Sequence, residues 1–210
     1  FKIFMKTVAA VIVALSFNSC LEKIPGNAIP ESEGMKTFND AEQTLTGIYS
    51  AWMSGSLYSG SLTLLPDIQA DMVHAVQGNS NTYGTLWQWD IRPTNAEIES
   101  VYAALYSVIS NCNFYLERID KIMAAQTNDD RITALEQYTG EVYTIRALAY
   151  SELLKNFCKA YDPATAQNEL GVVLRKYYSE PEPARRASLY DSYEFVLDDL
   201  AMAEELLDEE

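Results

Sequence analysis

The sequence predicts an all-α protein of long antiparallel helix pairs separated by long irregular loops. Apolar residues recur at gaps of three and four through several long stretches, the mark of a helix with one buried face. Capping signals stand at the start of these stretches. Glycine and proline gather between them, at 54–93 and 161–187.

The chain opens on a leader. Lys6 precedes the apolar run Val8-Ala9-Ala10-Val11-Ile12-Val13-Ala14-Leu15, and Ser16-Phe17-Asn18-Ser19-Cys20 follows. A basic start, a short apolar core and a small residue before the break read as a secretory signal. The run is too short to span a bilayer, which takes about 20 apolar residues. A cysteine directly after Ser19 points to a lipoprotein signal with Cys20 lipidated, although Phe17 replaces the usual leucine. The alternative is an ordinary signal peptide with an incidental cysteine. Met5 is the expected start codon, with Phe1 to Phe4 upstream of it or at a fragment edge. The expected division is a signal peptide over 1–19, a lipidated N-terminus and tether over 20–38, and a helical domain over 39–210. Pro25, Gly26, Pro30 and Gly34 mark the tether.

Asn39 and Glu42 have capping-box spacing, with Phe38 placed as a staple, and predict a helix over about 40–53. Ala41, Leu45, Ile48 and Trp52 would form its buried side. Gly55, Gly60, Gly78, Gly84, Pro66 and Pro93 break the next stretch, where a short helix is expected from about Pro66 to Val76. Long loops in compact domains are often functional. Thr94 and Glu97 repeat the box spacing before the stripe Val101, Leu105, Val108, Cys112, Leu116, Ile119 and Met123. A third helix is predicted from Asp129 to about Ala160, with Leu135, Tyr138, Val142, Ile145, Ala149, Leu153 and Phe157 inward. Ala147, Ala149 and Ser151 would let a neighbouring helix approach closely. Gly171 to Leu174 reads as a brief extended run. Ser188 then caps a last helix, with Asp191 in its first turn and Leu189, Tyr193, Val196, Leu200, Ala203 and Leu207 as its stripe. Long helices paired in this way predict tetratricopeptide-like packing, though no strict 34-residue repeat is visible. The last stripe runs almost to Glu210, which leads us to expect an incomplete domain.

The chain has 210 residues and a net charge of −15. Loss of Lys2 and Lys6 with the leader makes the remainder more acidic still. That balance opposes nucleic-acid binding and adsorption to anionic lipid, so membrane attachment is expected through the anchor alone. Cys112 and Cys158 lie in helical patterns and read as small buried apolar residues, with a disulfide as the alternative. No Cys/His cluster has zinc spacing, and His74 is the only histidine. Neither a Gly-x-Ser-x-Gly elbow nor a phosphate-binding glycine loop is present. Asp67 and Asp71 sit four apart on the expected short helix. Such a pair can serve catalysis or bind calcium, and more simply places charge at a helix start. Tyr102, Tyr106, Tyr138, Tyr143 and Tyr150 are expected as interhelical contacts. No cofactor, metal or catalytic residue is expected.

Several segments together resemble the N-terminal part of the SusD/RagB family of glycan-binding lipoproteins from Bacteroidetes-type bacteria. They are Ser19-Cys20-Leu21-Glu22 and Leu65-Pro66-Asp67-Ile68-Gln69-Ala70-Asp71. Leu105-Tyr106-Ser107-Val108-Ile109-Ser110-Asn111-Cys112-Asn113 and Glu141 to Tyr150, with Arg146-Ala147-Leu148-Ala149-Tyr150, follow. Tyr161, Asp162, the run Gly171-Val172-Val173-Leu174, and Arg186 to Leu207 complete the series. Cys158 stands where the family commonly has glycine, and Val173 where it has proline. Family members are usually more than twice as long. The resemblance implies a tetratricopeptide-like scaffold, lipid-anchored at Cys20 on the outer membrane and not an enzyme, that hands glycan to a SusC-like TonB-dependent transporter.

Sugar rings have apolar faces on which aromatic side chains stack, with polar groups fixing the hydroxyls. The loop from Asn79 to Asp90 has that composition. Trp87, Trp89 and Tyr83 are the expected stacking residues. Asn81, Asp90, Arg92 and Asn95 are the expected hydroxyl contacts. Two other classes compete with glycan binding. Buried loop tryptophans would favour a helical-repeat adaptor for protein alone, and a carbohydrate-active enzyme would need acidic residues facing a cleft beside the aromatics.

Overall fold

The computed structural model describes residues 34–74, 76, 78, 83–178 and 185–207. The signal peptide, Cys20, most of the tether and Asn81 lie outside them. Met35–Glu210 forms one compact unit. Its elements run α1 (Phe38–Trp52), α2 (Ser61–Gln69), α3 (Gly84–Trp87), α4 (Ala96–Ala124), α5 (Asp129–Phe157), β1 (Leu170–Val173), β2 (Arg186–Ser188) and α6 (Leu189–Leu206). The fold is helical, as the stripes predict, with one small antiparallel sheet.

The start of α1 differs from the expectation. Thr37, not Asn39, is the N-cap: its hydroxyl accepts from the Asp40 N–H at 3.2 Å, and the Asp40 carboxylate accepts from the Thr37 N–H at 2.9 Å. Starting at Phe38 puts that ring 6.1 Å from Tyr138 of α5. The backbone N–H groups of Lys36 and Thr37 and the Thr37 hydroxyl hold the Asp40 carboxyl below its ordinary pKa. The contribution of this carboxylate is therefore full above the ordinary pKa and is lost as pH falls through the lowered one. Thr37→Ala should lower stability by about 1 kcal/mol, read as a small fall in melting temperature at neutral pH. An unchanged melt would show that the cap contributes nothing.

The short helix was expected from Pro66 and in fact begins at Ser61, with Pro66 inside it. Proline removes one helical hydrogen bond. Burial of Leu62, Leu65 and Ile68 on one side offsets that loss. The helix stops at Ala70, and Asp71 has φ of 56°. Asp67 and Asp71 therefore do not share a helix face. The expected Thr94/Glu97 box is also replaced. Asn95 is the N-cap without a side-chain cap bond, and the Glu97 carboxylate accepts from the Tyr83 N–H instead. α5 ends at Phe157, short of Ala160, because Cys158 turns to an extended conformation.

In α4 the predicted stripe is the buried one, with Val101, Leu105, Val108, Cys112 and Ile119 inside. α1 packs on α4 and α5, α4 on α5, and α5 on α6. Ala147 and Ala149 are buried on α5 as expected. Another close approach lies at Gly140, where a Cβ would come 2.8 Å from the Leu207 side chain. Leu200 departs from its predicted role and is exposed. Cys112 is a buried free thiol and Cys158 a partly buried one, so the disulfide is not formed. Burial pushes the Cys112 thiol up to about 12.

A buried polar network ties three helices together. Arg146 of α5 donates to Asp199 of α6 through Nε at 2.8 Å and Nη2 at 2.6 Å. Its Nη1 donates to the Asn113 side-chain oxygen of α4 at 2.8 Å. Asn113 in turn donates to the Arg175 carbonyl at 3.0 Å. Two tyrosine hydroxyls secure the same segment after α5. Tyr106 accepts from the Val173 N–H and donates to the Val173 carbonyl. Tyr150 does the same for Arg175. The expected extended run is β1, and its partner β2 was not anticipated. Leu170 faces Ser188 and Val173 faces Arg186, with an irregular register between them.

Candidate functional site

Buried anchors position the aromatic loop after α2. Leu86 of α3 is fully buried, and Trp87 packs partly buried against the core. Tyr83 caps α3 with φ of 59°, and Trp89 follows the helix with φ of 60°. Left-handed backbone at a residue with a bulky side chain is uncommon and costs of order 1–3 kcal/mol. Specific bonds hold it here. The Tyr83 hydroxyl shares a hydrogen bond of 2.8 Å with Ser61, and the Trp89 N–H donates to the Leu86 carbonyl at 3.0 Å. The Asp90 N–H donates to the Thr85 carbonyl at 2.9 Å.

The expected site residues have different surroundings. Trp89 is 58% exposed, so its indole is open to solvent. Trp87 and Tyr83 are half-buried, with the Tyr83 hydroxyl already bonded to Ser61. Asp90 and Arg92 form an exposed ion pair of 2.7 Å. The pairing raises the Arg92 pKa. Asn95 serves inside the loop: its side-chain oxygen accepts from the Arg92 N–H and its amide donates to Thr85 at 3.0 Å. Trp89, Asp90 and Arg92 thus offer an open aromatic face and charged groups near one another in sequence, on a braced turn. Sequence reasoning missed the braces Ser61, Thr85 and Glu97. Ser61 and Thr85 carry no signal beyond an ordinary polar side chain, Glu97 reads as a capping-box partner, and the contacts that matter cross between elements.

Exposed apolar side chains continue along this stretch at Met72, Val73, Val76 and Ile91. His74 is exposed. Among the described residues, no group of three or more His, Cys, Asp or Glu side chains is arranged to hold a metal. Nor is any helix among them long and apolar enough to cross a membrane.

Comparison with known proteins places this scaffold. The sequence pattern of the SusD-like family, described as starch-binding and associating with the outer membrane, matches residues 21–210. The chain belongs to the SusD-like family. A candidate sugar-binding protein from Bacteroides vulgatus is 27% identical, with a TM-score of 0.69 over 83% of this chain and 38% of its own. A SusD superfamily protein from the same species superposes with a TM-score of 0.71 at 20% identity, over 84% of this chain and 39% of its own. A third, from Bacteroides thetaiotaomicron, is 20% identical with a TM-score of 0.69, over 82% and 38%. The SusD-like chain spans less than two-fifths of the length of these solved relatives. No curated protein matches it.

Proposed function

We propose that this protein binds oligosaccharide or polysaccharide at the cell surface and delivers it to a SusC-like TonB-dependent outer-membrane transporter. Cys20 carries the lipid that holds it to the membrane. The protein captures glycan and performs no catalysis on it. The observation that carries this reading is the open indole of Trp89 in a chain of the SusD-like family. Buried loop tryptophans would have favoured a protein-only adaptor, and Trp89 is exposed.

Trp89 stacks on a sugar ring, while Asp90 and Arg92 bond its hydroxyls. Trp87 and Tyr83 shape the loop and present a smaller aromatic surface. Loss of a stacking face should be felt chiefly in affinity. Titration of the purified protein with a polysaccharide panel should find a binder. Trp89→Ala should then weaken binding by about tenfold or more, equivalent to about 1.4 kcal/mol, with helicity unchanged. Undiminished binding would remove Trp89 from the site. A folded protein that binds no member of the panel would favour the adaptor.

A further inference from the structure

A concavity that none of the Trp89-loop residues lines lies elsewhere on the fold. It is a cleft of about 350 Å³ between α1 and α4, lined by Thr44, Gly47, Ile48, Asn111, Phe114 and Tyr178. That volume falls at the small end of ligand pockets, which run from about 300 to 1,000 Å³. Tyr178 also lines a neighbouring cavity of about 270 Å³, together with Tyr106, Ser110 and Tyr177.

The aromatic wall is fixed before any ligand arrives. Phe114 and Tyr178 meet edge to face at 5.2 Å, and the Arg118 guanidinium lies 3.8 Å from the Phe114 ring centre. The Tyr178 N–H donates to the Glu117 carboxylate at 2.6 Å. The Tyr106 and Tyr150 hydroxyls and the Asn113 amide pin the backbone of Val173 and Arg175 just before it. A wall held in this way loses little entropy on binding.

Gly47 has no packing reason to be glycine. Mid-helix glycine is about 1 kcal/mol less favourable than alanine. At Gly140 the neighbouring helix accounts for it, since a Cβ would meet the Leu207 side chain. At Gly47 a Cβ would meet nothing within 4 Å. What its missing side chain leaves open is the cleft itself.

We infer that this cleft is a second carbohydrate subsite, which takes a neutral pyranose unit against Phe114 and Tyr178. The inference rests on the glycan-binding reading above. Thr44 donates its hydroxyl proton to the Asp40 carbonyl, so its oxygen faces ligand as an acceptor, and Asn111 supplies an amide. Aromatic faces with a hydroxyl and an amide suit a sugar ring. Among the described lining residues none is itself a carboxylate or a cation, the nearby Arg118 guanidinium is stacked on Phe114, and the chain carries −15 overall. An anionic sugar would meet the repelling field of that net charge, whereas a neutral ring would not.

The test uses calorimetric titration of the purified protein with neutral oligosaccharides (maltoheptaose, cellohexaose and mannohexaose). It compares wild type, Trp89→Ala, Gly47→Leu and the double variant. Leucine at position 47 fills the cleft and improves helix propensity, so Gly47→Leu should melt no lower than wild type. Tyr178→Ala, which removes the wall from the other side, serves as the second variant. The expected result is residual binding in Trp89→Ala that falls at least tenfold when Gly47→Leu or Tyr178→Ala is added. If both cleft variants bind as their parents do, the subsite is refuted and the Trp89 reading stands. If wild type binds none of these sugars while binding another polysaccharide of the panel at Trp89, the neutral-pyranose subsite also fails. If a folded wild type binds no glycan at all, both readings fail together.

Discussion

Arg146→Ala is expected to lower stability by about 3–5 kcal/mol, because it strands the Asp199 carboxylate in the interior. Arg146 and Asp199 are both buried, and the guanidinium spends its donors on Asp199 and Asn113. Burial raises the Asp199 carboxyl above its ordinary pKa, with the bonds to Arg146 acting in the opposite direction. Removing the arginine leaves only the raising influence. A carboxyl raised in the folded state favours folding when protonated, so the stability of the variant falls as pH rises through that range. The gap from wild type should therefore be widest near neutrality and narrower in mild acid. Denaturant melts at two pH values measure it. Arg146→Ala/Asp199→Ala should be more stable than Arg146→Ala alone, since the unpaired charge is gone. A double variant as unstable as the sum of both singles would mean that packing, not charge, dominates this seam.

Gly171→Ala should cost about 1–3 kcal/mol, the range for forcing an extra carbon into a filled site. For a chain of this size that corresponds to a fall in melting temperature of roughly 2–4 °C per kcal/mol. A Cβ at this position would collide with the Ser192 hydroxyl and with the Ser188 backbone carbonyl. The Ser192 hydroxyl is itself committed: it accepts from the Val172 N–H at 3.1 Å and donates to the Ser188 carbonyl at 2.7 Å. Adding Ser192→Ala should recover little, because the Ser188 carbonyl remains in the way and Val172 then lacks its acceptor. A Gly171→Ala melt that coincides with wild type would show that β1 can shift away from α6 at no cost.

The stripes were legible because burial in a helix bundle follows the helical period. Val101, Leu105, Val108 and Cys112 are each predicted inward and each lie fully buried. Helix starts were less legible. Thr37/Asp40 and Asn39/Glu42 have the same box spacing, and what separates them is the Phe38 ring resting on Tyr138, a contact no local pattern contains. The candidate loop divides in the same way. Its composition was readable, yet Trp87 and Trp89 look alike in sequence. Their difference comes from the fully buried Leu86 and the left-handed backbone at Trp89, which leave one indole half-buried and the other open. Asn95 reads as a ligand-contacting amide, and the structure engages both ends of it within the loop. Asn113, Arg146 and Asp199 each stood in a recognised segment. That they meet at one point depends on how α4, α5 and α6 pack.

The Arg146–Asp199 contact joins residues 53 positions apart. Helical hairpins form from local contacts and fold early, whereas contacts between distant residues come later. Pairing of α4 with α5, which are joined by a short turn, is therefore expected to precede the docking of α6. Until α6 docks, the surface that it covers carries the Arg146 charge. A charge there keeps a half-built apolar face soluble and makes premature closure by any uncharged segment unfavourable. The pair that costs stability to bury thus makes closure of this seam selective for the one helix that carries the matching carboxylate.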